Sequence, residues 1–386
     1  MKFPHFLQSL SKIGDLVSSR IKRIGKSSEA IPEDHTTAQA RLLHSGPTKA
    51  TLVARREESC NAYRLSFEVG HPVYFQPGTY LTIRLHIGDS YVTRPYSIAS
   101  SLEEGKQGHV DIIVRDDPNG FVAPYLCHEI PVPSQVTLEV GLGHFYVDPF
   151  RDAGNIVCIA GGVGIAPFLS MASSLNVESI TILRGAKSQS ELIGGDAIEA
   201  LNKPNVRVID VLSEEEVEGC EHGFIDAKLI KKYSTDGDCS YFLCGPAAME
   251  AFVRKQLASM GVPARRIRSE CFSSPKVYDR PDFPEEAKGK TYRLSVIQGI
   301  KKTVIDAYSG ESLVTALERA GLYVRTCCRS GACGACRMKV LEGDVYVIKE
   351  NDGRRAADKE FGYVHGCNAY PLGDVAVRIN IPPTQE

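Results

Sequence analysis

The chain carries no excess of charge of either sign. Its 45 Lys and Arg nearly cancel 47 Asp and Glu, leaving a formal net charge of -2, so no global attraction to nucleic acid or to an anionic membrane is expected. It has no run of eighteen apolar residues, so no transmembrane helix is expected. The N-terminus shows no compact apolar core ahead of a small-residue cleavage site, so no secretory signal peptide is expected. Internal repeats are absent too. What remains is a composition ordinary for a folded soluble protein, 43% hydrophobic and 24% charged over 386 residues, too long for one core and suited to two to four domains. The twelve cysteines cluster unevenly in a long chain. That favours a reduced, cytoplasmic setting with a metal site over an extracellular disulfide framework.

Residues 1–46 stand apart. Phe3, Phe6, Leu7, Leu10, Ile13, Leu16, Val17, Ile21 and Ile24 recur near helical spacing, with Lys12, Arg20, Lys22, Arg23 and Lys26 between them. This predicts a basic amphipathic helix followed by a polar linker. The helix could pack on its own protein, dock a partner or lie on a membrane surface. Residues 47–148 hold many short β-type runs separated by turns, as a small antiparallel barrel or sandwich would. Residues 149–272 alternate strands with helices and predict a parallel α/β sheet. Residues 273–290 are rich in Pro and charge and read as a linker. Residues 291–386 open on the strand "TYRLSVIQ", contain the helix "SLVTALERAG" and carry the densest cysteines.

Those cysteines lie in "TCCRSGACGACRMK". Cys328, Cys333 and Cys336 have the spacing C-x4-C-x2-C, and Cys367 follows after a gap, the plant-type [2Fe–2S] ligand pattern. One loop must wrap the cluster and offer three thiolates. The small Gly331, Ala332, Gly334 and Ala335 let its backbone approach and donate N–H bonds to sulfur. A structural zinc site is the main rival, but zinc prefers paired C-x2-C spacings, and Cys367 has no close cysteine neighbour. Disulfides are the third reading. Cys327 fits no ligand position; it and Cys60, Cys127, Cys158, Cys220, Cys239 and Cys271 are expected to be plain thiols.

Two further motifs precede the cysteines. "RPYSIAS" (Arg94–Ser100) ends a predicted strand in the β region. Alone it reads equally well as a strand with a charged edge. Its position ahead of an α/β region sharpens it, because Arg94 can neutralise a phosphate, the Tyr96 ring can stack on an isoalloxazine and the Ser97 hydroxyl can reach a flavin nitrogen edge. "NGFVAPYL" offers Gly120, Phe121, Val122 and Ala123 at a predicted helix start, a cradle for pyrophosphate. "AGGVGIAP" (Ala160–Pro167) follows a strand and opens a helix. Its glycines allow a dinucleotide to approach, or simply make a tight turn. "LCGPAAM" (Leu243–Met249) ends a later parallel strand, where ligands of such sheets bind.

With "PGTY", "RPYS", "GGVGIAP", "CGPAAM" and "SECF" in that order over about 48–272, the chain resembles the ferredoxin–NADP reductase superfamily. With "CRSGACGAC" and Cys367 behind them, its layout is similar to phthalate dioxygenase reductase-type proteins. The resemblance implies a flavin β-barrel, an α/β nucleotide domain and a β-grasp-like α+β ferredoxin domain. It implies Arg94, Pro95, Tyr96 and Ser97 on the flavin, with Val114, Arg115 and Gly120 to Ala123 completing that site. It implies Gly161, Gly162, Val163 and Gly164 on the nucleotide. Cys244, Gly245, Pro246 and Met249 would lie beside the nicotinamide, with Glu270 and Phe272 near the flavin ring. Ser97, Cys244 and Glu270 are the expected catalytic group, and four cysteine thiolates the ligands of two irons. Three departures stand out. Ala123 replaces the usual serine or threonine, "VGLGHF" lacks the usual glycine–proline, and residues 1–46 match nothing in the pattern. Gly120–Ala123 suits a pyrophosphate, which favours FAD over FMN. NADH and NADPH stay open, since Arg184, Lys187 and Ser188 could receive a 2′-phosphate or form a solvated turn.

NAD(P)H gives two electrons as a hydride and a [2Fe–2S] cluster takes one, so a flavin must sit between them. The expected activity is an NAD(P)H oxidoreductase delivering electrons to an external redox protein. Plant-type clusters lie near about −400 mV, so a demanding acceptor is within reach. The alternative is a redox-sensing or electron-delivering subunit of a fixed larger complex, docked through the N-terminal helix.

Overall fold

The computed structural model describes residues 17–19, 36, 46–201, 203–235, 237–270, 272 and 276–380. The amphipathic helix and linker expected over 1–46 lie almost wholly outside the described residues, though 17–19 are helical and exposed. Cys271 also lies outside them. Residues 45–386 form one compact unit. Among the described residues no helix is long and apolar enough to cross a membrane.

Alternating burial builds the first part of this unit. Strands β1 (Pro47–Ser59), β2 (Ala62–Glu68), β3 (Tyr80–Ile87), β4 (Ser90–Ser97), β5 (His109–Arg115) and β6 (Ser134–Leu142) form an antiparallel sheet in the order β4-β3-β6-β1-β2-β5. A bridge between Ile98 and Ile112 joins its two ends and closes a barrel, which leaves no open edge. Leu52, Leu65, Phe67, Leu81, Ile83 and Leu138 fill it without exposure. Arg64 is buried as well, and its charge is met by Glu58 at 2.8 Å and Asp111 at 3.2 Å, as a buried cation requires. Gly78 of "PGTY" has φ +102°. A Cβ there would fall 2.3 Å from the Phe145 carbonyl and 2.2 Å from Met171 Cε, so only glycine fits where the barrel meets the next domain.

There β7 (Asn155–Gly161), β8 (Ser179–Ala186), β9 (Val206–Leu212), β10 (Glu221–His222), β11 (Cys239–Cys244) and β12 (Ile267–Glu270) run parallel in the order β10-β9-β8-β7-β11-β12. Every residue of β11 is buried, as expected of a strand covered on both faces. The strand order turns back between β7 and β11, the position where such sheets bind ligands at their C-terminal ends. The helix expected in "SELIGGDAIEAL" is shorter than its pattern. Gly194, at φ +82°, separates a turn at Gln189–Glu191 from a helix at Gly195–Leu201.

The last part is a mixed sheet in the order β14-β13-β19-β15-β17, with β13 (Thr291–Gln298), β14 (Lys301–Tyr308), β15 (Arg337–Glu342), β17 (Tyr363–His365) and β19 (Val375–Ile379). A pair, β16 (Val345–Val347) and β18 (Ala369–Pro371), lies outside it. The helix Leu313–Arg319 starts at the Ser312 N-cap and buries Leu313, Val314, Ala316 and Leu317, giving a β-grasp arrangement. Residues 276–290, expected as a linker, pack on this part of the unit. Val277, Phe283 and Ala287 share a buried cluster with Tyr346, Ile348 and Tyr370, and Arg280 bonds the Tyr346 hydroxyl at 2.8 Å.

Candidate flavin, nucleotide and iron–sulfur site

Four thiols converge in the cysteine loop. Peptide N–H groups donate to each of their sulfurs: Ser330 and Cys333 to Cys328, Ala335 to Cys333, Cys367 to Cys336 and Gly331 to Cys367, at 3.3 to 3.5 Å. Amide donors of this kind stabilise thiolates that bind metal. The loop winds tightly because Arg329, Gly331 and Gly334 have φ of 51°, 83° and 74°. The glycines answer that conformation; Arg329 takes it at a cost of order 1–3 kcal/mol. His365 Nδ1 donates to the Gly331 carbonyl and fixes that peptide. The Thr326 hydroxyl is buried with no partner in the protein, a donor left over beside the loop. Among the described residues no three His, Cys, Asp or Glu side chains ring a single ion. Cys328, Cys336 and Cys367 are buried and Cys333 is exposed. Cys327 is buried with its thiol against that of Cys333.

Three parallel strands end side by side near this loop. Cys244 pairs in register with Ala160 and with Glu270. From the barrel, the Ser97 hydroxyl donates to Glu270 Oε2 at 3.3 Å, and Tyr80 pairs with Ser97 across β3 and β4. The Tyr80 ring meets Phe272 edge-on at 5.3 Å. Ser97, Cys244, Glu270 and Phe272, expected together, are together. Burial raises the Glu270 carboxyl to about 8, with Ser97 opposing and Cys328 adding. Burial also pushes the Tyr80 phenol up, helped by the Cys333, Cys328 and Cys327 side chains. Tyr80 therefore faces both the Ser97–Glu270 pair and the cysteine loop.

The glycine turns on the two sides of the crevice do different work. A Cβ on Gly164 would lie 2.1 Å from the Cys244 carbonyl, and one on Gly161 would lie 2.7 Å from Met249 Sδ and 2.9 Å from Pro246. These glycines, with Gly245, let the two turns pack against each other. Gly162 instead has φ +53° and open space beyond it, where a dinucleotide can approach. Val163 lies with it in a short turn, Gly162–Ile165.

Arg94, Pro95 and Tyr96 lie on β4 beside Ser97. Tyr96 packs on the same apolar cluster as Val114, Val122 and Ala123. Val114 and Val122 are buried in it, so they offer backbone only, whereas Arg115 and Phe121 are exposed. A helix does start after Gly120: Ala123 and Pro124 are helical and run on into the wide turn Tyr125–Glu129; the proline and the brevity of the stretch leave few aligned amides. Arg94 is already engaged. Its Nη1 donates to Glu318 Oε2 at 2.8 Å and to the Thr93 carbonyl at 2.9 Å, which leaves its other N–H groups for a phosphate.

Residues 49–146 match the oxidoreductase FAD-binding domain family, 158–255 the oxidoreductase NAD-binding domain family and 296–372 the 2Fe-2S iron-sulfur cluster binding domain family. The chain belongs to the ferredoxin–NADP reductase superfamily, with a C-terminal [2Fe–2S] domain. A component of the 1,2-phenylacetyl-CoA epoxidase of Escherichia coli is 27% identical over 349 residues, covering 85% of this chain and 96% of its own. The glycine betaine monooxygenase reductase subunit of Chromohalobacter salexigens is 25% identical, covering 83% and 92%. The structure of phthalate dioxygenase reductase superposes with a TM-score of 0.62 at 17% identity, covering 87% of this chain and 98% of that one, a likeness of fold.

This reductase is thus an oxidoreductase that passes electrons from NAD(P)H through a flavin to a [2Fe–2S] cluster and on to an external acceptor. Arg184, Lys187 and Ser188, left open between a 2′-phosphate site and a solvated turn, all have partners within the protein. Arg184 is buried and gripped by both oxygens of Asp210, at 2.6 and 2.8 Å, and by the Ile193 carbonyl at 2.7 Å. Lys187 faces Glu214 at 3.2 Å, the Ser188 hydroxyl bonds Ser190, and the Gln189 amide donates to Glu215 at 2.8 Å. Sequence reasoning also missed the contacts between the barrel and the cluster domain. Glu318 joins Arg94 to Arg329, Glu139 joins Arg84 to Arg325 at 3.3 and 3.0 Å, and Tyr323 sits against Tyr91 and under Arg84. Nothing local marks these residues, because the barrel partner in each contact lies far along the chain from the cluster-domain one.

Proposed function

We propose that this reductase uses NADH and serves an oxygenase component as its external acceptor, from within a reducing compartment. One observation carries the nucleotide choice: Arg184, the buried cation at the end of β8, is gripped by Asp210, and the exposed Lys187 stands beside Glu214 and Glu215. A 2′-phosphate brought there would meet carboxylates rather than free guanidinium or ammonium groups, which disfavours NADPH. The oxygenase reading rests on relatives alike over nearly their whole length, both named as components of oxygenating systems.

Ser97, Cys244 and Glu270 would orient the nicotinamide against the flavin, holding the hydride donor and acceptor in line. Burial raises the Glu270 carboxyl to about 8, and the Ser97 hydroxyl donates to its Oε2. The flavin, when bound, supplies the conversion of a two-electron donor into single-electron transfers. The four cysteines would hold the cluster that receives them.

Anaerobic titration with NADH and then NADPH, followed by absorption and paramagnetic resonance, tests the first part. NADH should bleach the flavin and give a reduced-cluster signal at far lower concentration than NADPH. Equal response to both would reject the NADH assignment, and no response to either would reject the reductase reading. For the acceptor, fractions of the native cell extract are added to the NADH-fed protein. A fraction that consumes oxygen in step with NADH supports the proposal. Electron uptake without oxygen consumption in every active fraction contradicts it.

A further inference from the structure

We propose that Glu318 is a positioning residue for electron transfer within the chain, a single buried carboxylate that ties the flavin-binding strand to the cluster loop. The inference rests on the reductase reading above. Glu318 lies in the last turn of the helix Leu313–Arg319 and is 3% exposed. Its Oε1 accepts from the Thr93 amide at 3.1 Å and from Arg329 Nη1 at 2.8 Å, and its Oε2 accepts from Arg94 Nη1 at 2.8 Å. Thr93 and Arg94 lead into Pro95, Tyr96 and Ser97. Arg329 follows Cys328 directly. One side chain therefore has a donor in the strand that lines the flavin site and another beside a cluster ligand, 224 and 11 residues away along the chain.

The location is an unfavourable one for a carboxylate. Burial removes its hydration, and the C-terminal turn of a helix presents negative dipole. Two guanidinium groups and an amide offset this, and the arrangement is fixed further because Arg329 Nη2 donates to Thr315 Oγ1 at 3.2 Å. The only non-glycine residue at positive φ among those described is this same Arg329. An apolar side chain at 318 could fill the space; it could not hold the two arginines. A second bridge, Arg84–Glu139–Arg325, runs alongside, but Arg325 is 61% exposed and such pairs contribute little. Transfer of an electron between two bound groups depends steeply on their separation and orientation, so the residue that holds the two binding segments together governs that step and leaves hydride transfer untouched.

The test uses the full-length holoprotein and two variants, Glu318→Gln and Glu318→Ala. Gln keeps an acceptor for Thr93 and loses the charge. Stopped-flow with NADH reads flavin bleaching and then cluster reduction; rapid-freeze paramagnetic resonance reads the cluster directly; hydrogen exchange reads the backbone. In Glu318→Gln, flavin bleaching should stay within about twofold of wild type while cluster reduction slows about tenfold or more, the size expected for loss of a charge-assisted bridge. Exchange should rise together in the segments around Arg94 and Arg329 and not in β7 or β11. A constant ratio of the two rates overturns the proposal, whether both fall or neither does. Loss of the cluster from Glu318→Gln with the flavin intact also overturns it, because the residue would then only support the loop. Failure of wild type to bleach with NADH would instead sink the reductase reading.

Discussion

The Ser97 hydroxyl donates to the Glu270 carboxylate across 3.3 Å, so the last residue of a barrel strand meets the last residue of a parallel strand 173 positions later. Two domains that fold on different principles share one polar contact at the point where hydride donor and acceptor would meet. Around it stand Cys244 on one side and Tyr80 on the other.

That contact makes a pH prediction. The Glu270 carboxyl is raised from 4.5 to about 8, first by burial. A carboxyl with a folded value above its unfolded one binds its proton more tightly when folded. Stability is then lost as pH rises from 4.5 to about 8 and is level beyond. The slope is at most about 1.4 kcal/mol per pH unit, and less because one edge of the side chain meets solvent. Thermal unfolding across that range should show Glu270→Gln gaining on wild type as pH rises. Parallel curves would refute the assignment. Ser97→Ala removes a bond that holds the value down, so its loss of stability should extend to higher pH.

Gly164 and Gly162 should respond differently to alanine. The Gly164 Cβ would strike the Cys244 carbonyl at 2.1 Å, backbone against backbone, and Gly164→Ala should lower the unfolding temperature markedly and abolish NADH-driven flavin bleaching. Gly162→Ala meets nothing and should cost only about 1 kcal/mol for its left-handed backbone, while weakening nucleotide binding where the Cβ intrudes. Equal damage in both would mean that the two turns are not packed as described.

Cys328→Ser should remove the cluster absorption and leave the flavin reducible by NADH. Cys327→Ser should keep the cluster, although its thiol lies against Cys333. Loss of the cluster in both would reject Cys328, Cys333, Cys336 and Cys367 as the ligand set.

Replacing Glu214 with arginine should narrow the preference for NADH. A new guanidinium beside Lys187 offers a charge-assisted bond to a 2′-phosphate, and about 1.4 kcal/mol of it would give a tenfold fall in the KM for NADPH. The ratio of kcat/KM for the two nucleotides measures this; an unchanged ratio would place the ribose elsewhere.

What could be read along the chain was whatever chemistry is local. The C-x4-C-x2-C spacing, the glycine turns after β7 and β11, and the alternation of the barrel strands each depend on residues within one turn or strand. The burial of Arg184 could not be read, because its partner Asp210 sits on the neighbouring strand and the same arginine on an open turn would look identical in sequence. Glu318 was hidden for a similar reason, placed in a helix whose apolar pattern marks only the core side. Residues 276–290 misled by composition: prolines and charges suggested a free tether, yet Val277, Phe283 and Ala287 are spaced to bury against Tyr346 and Tyr370.

That packing bears on where the iron–sulfur part could be cut from the rest and still stand alone. A fragment beginning at the first strand, Thr291, would leave Tyr346 and Tyr370 without the side chains that cover them. One beginning at 276 would carry its own cover. The transferable module is therefore longer than the stretch that touches iron, and a gene fusion that moved only the cysteine-bearing sheet would deliver an electron carrier with an uncovered apolar flank.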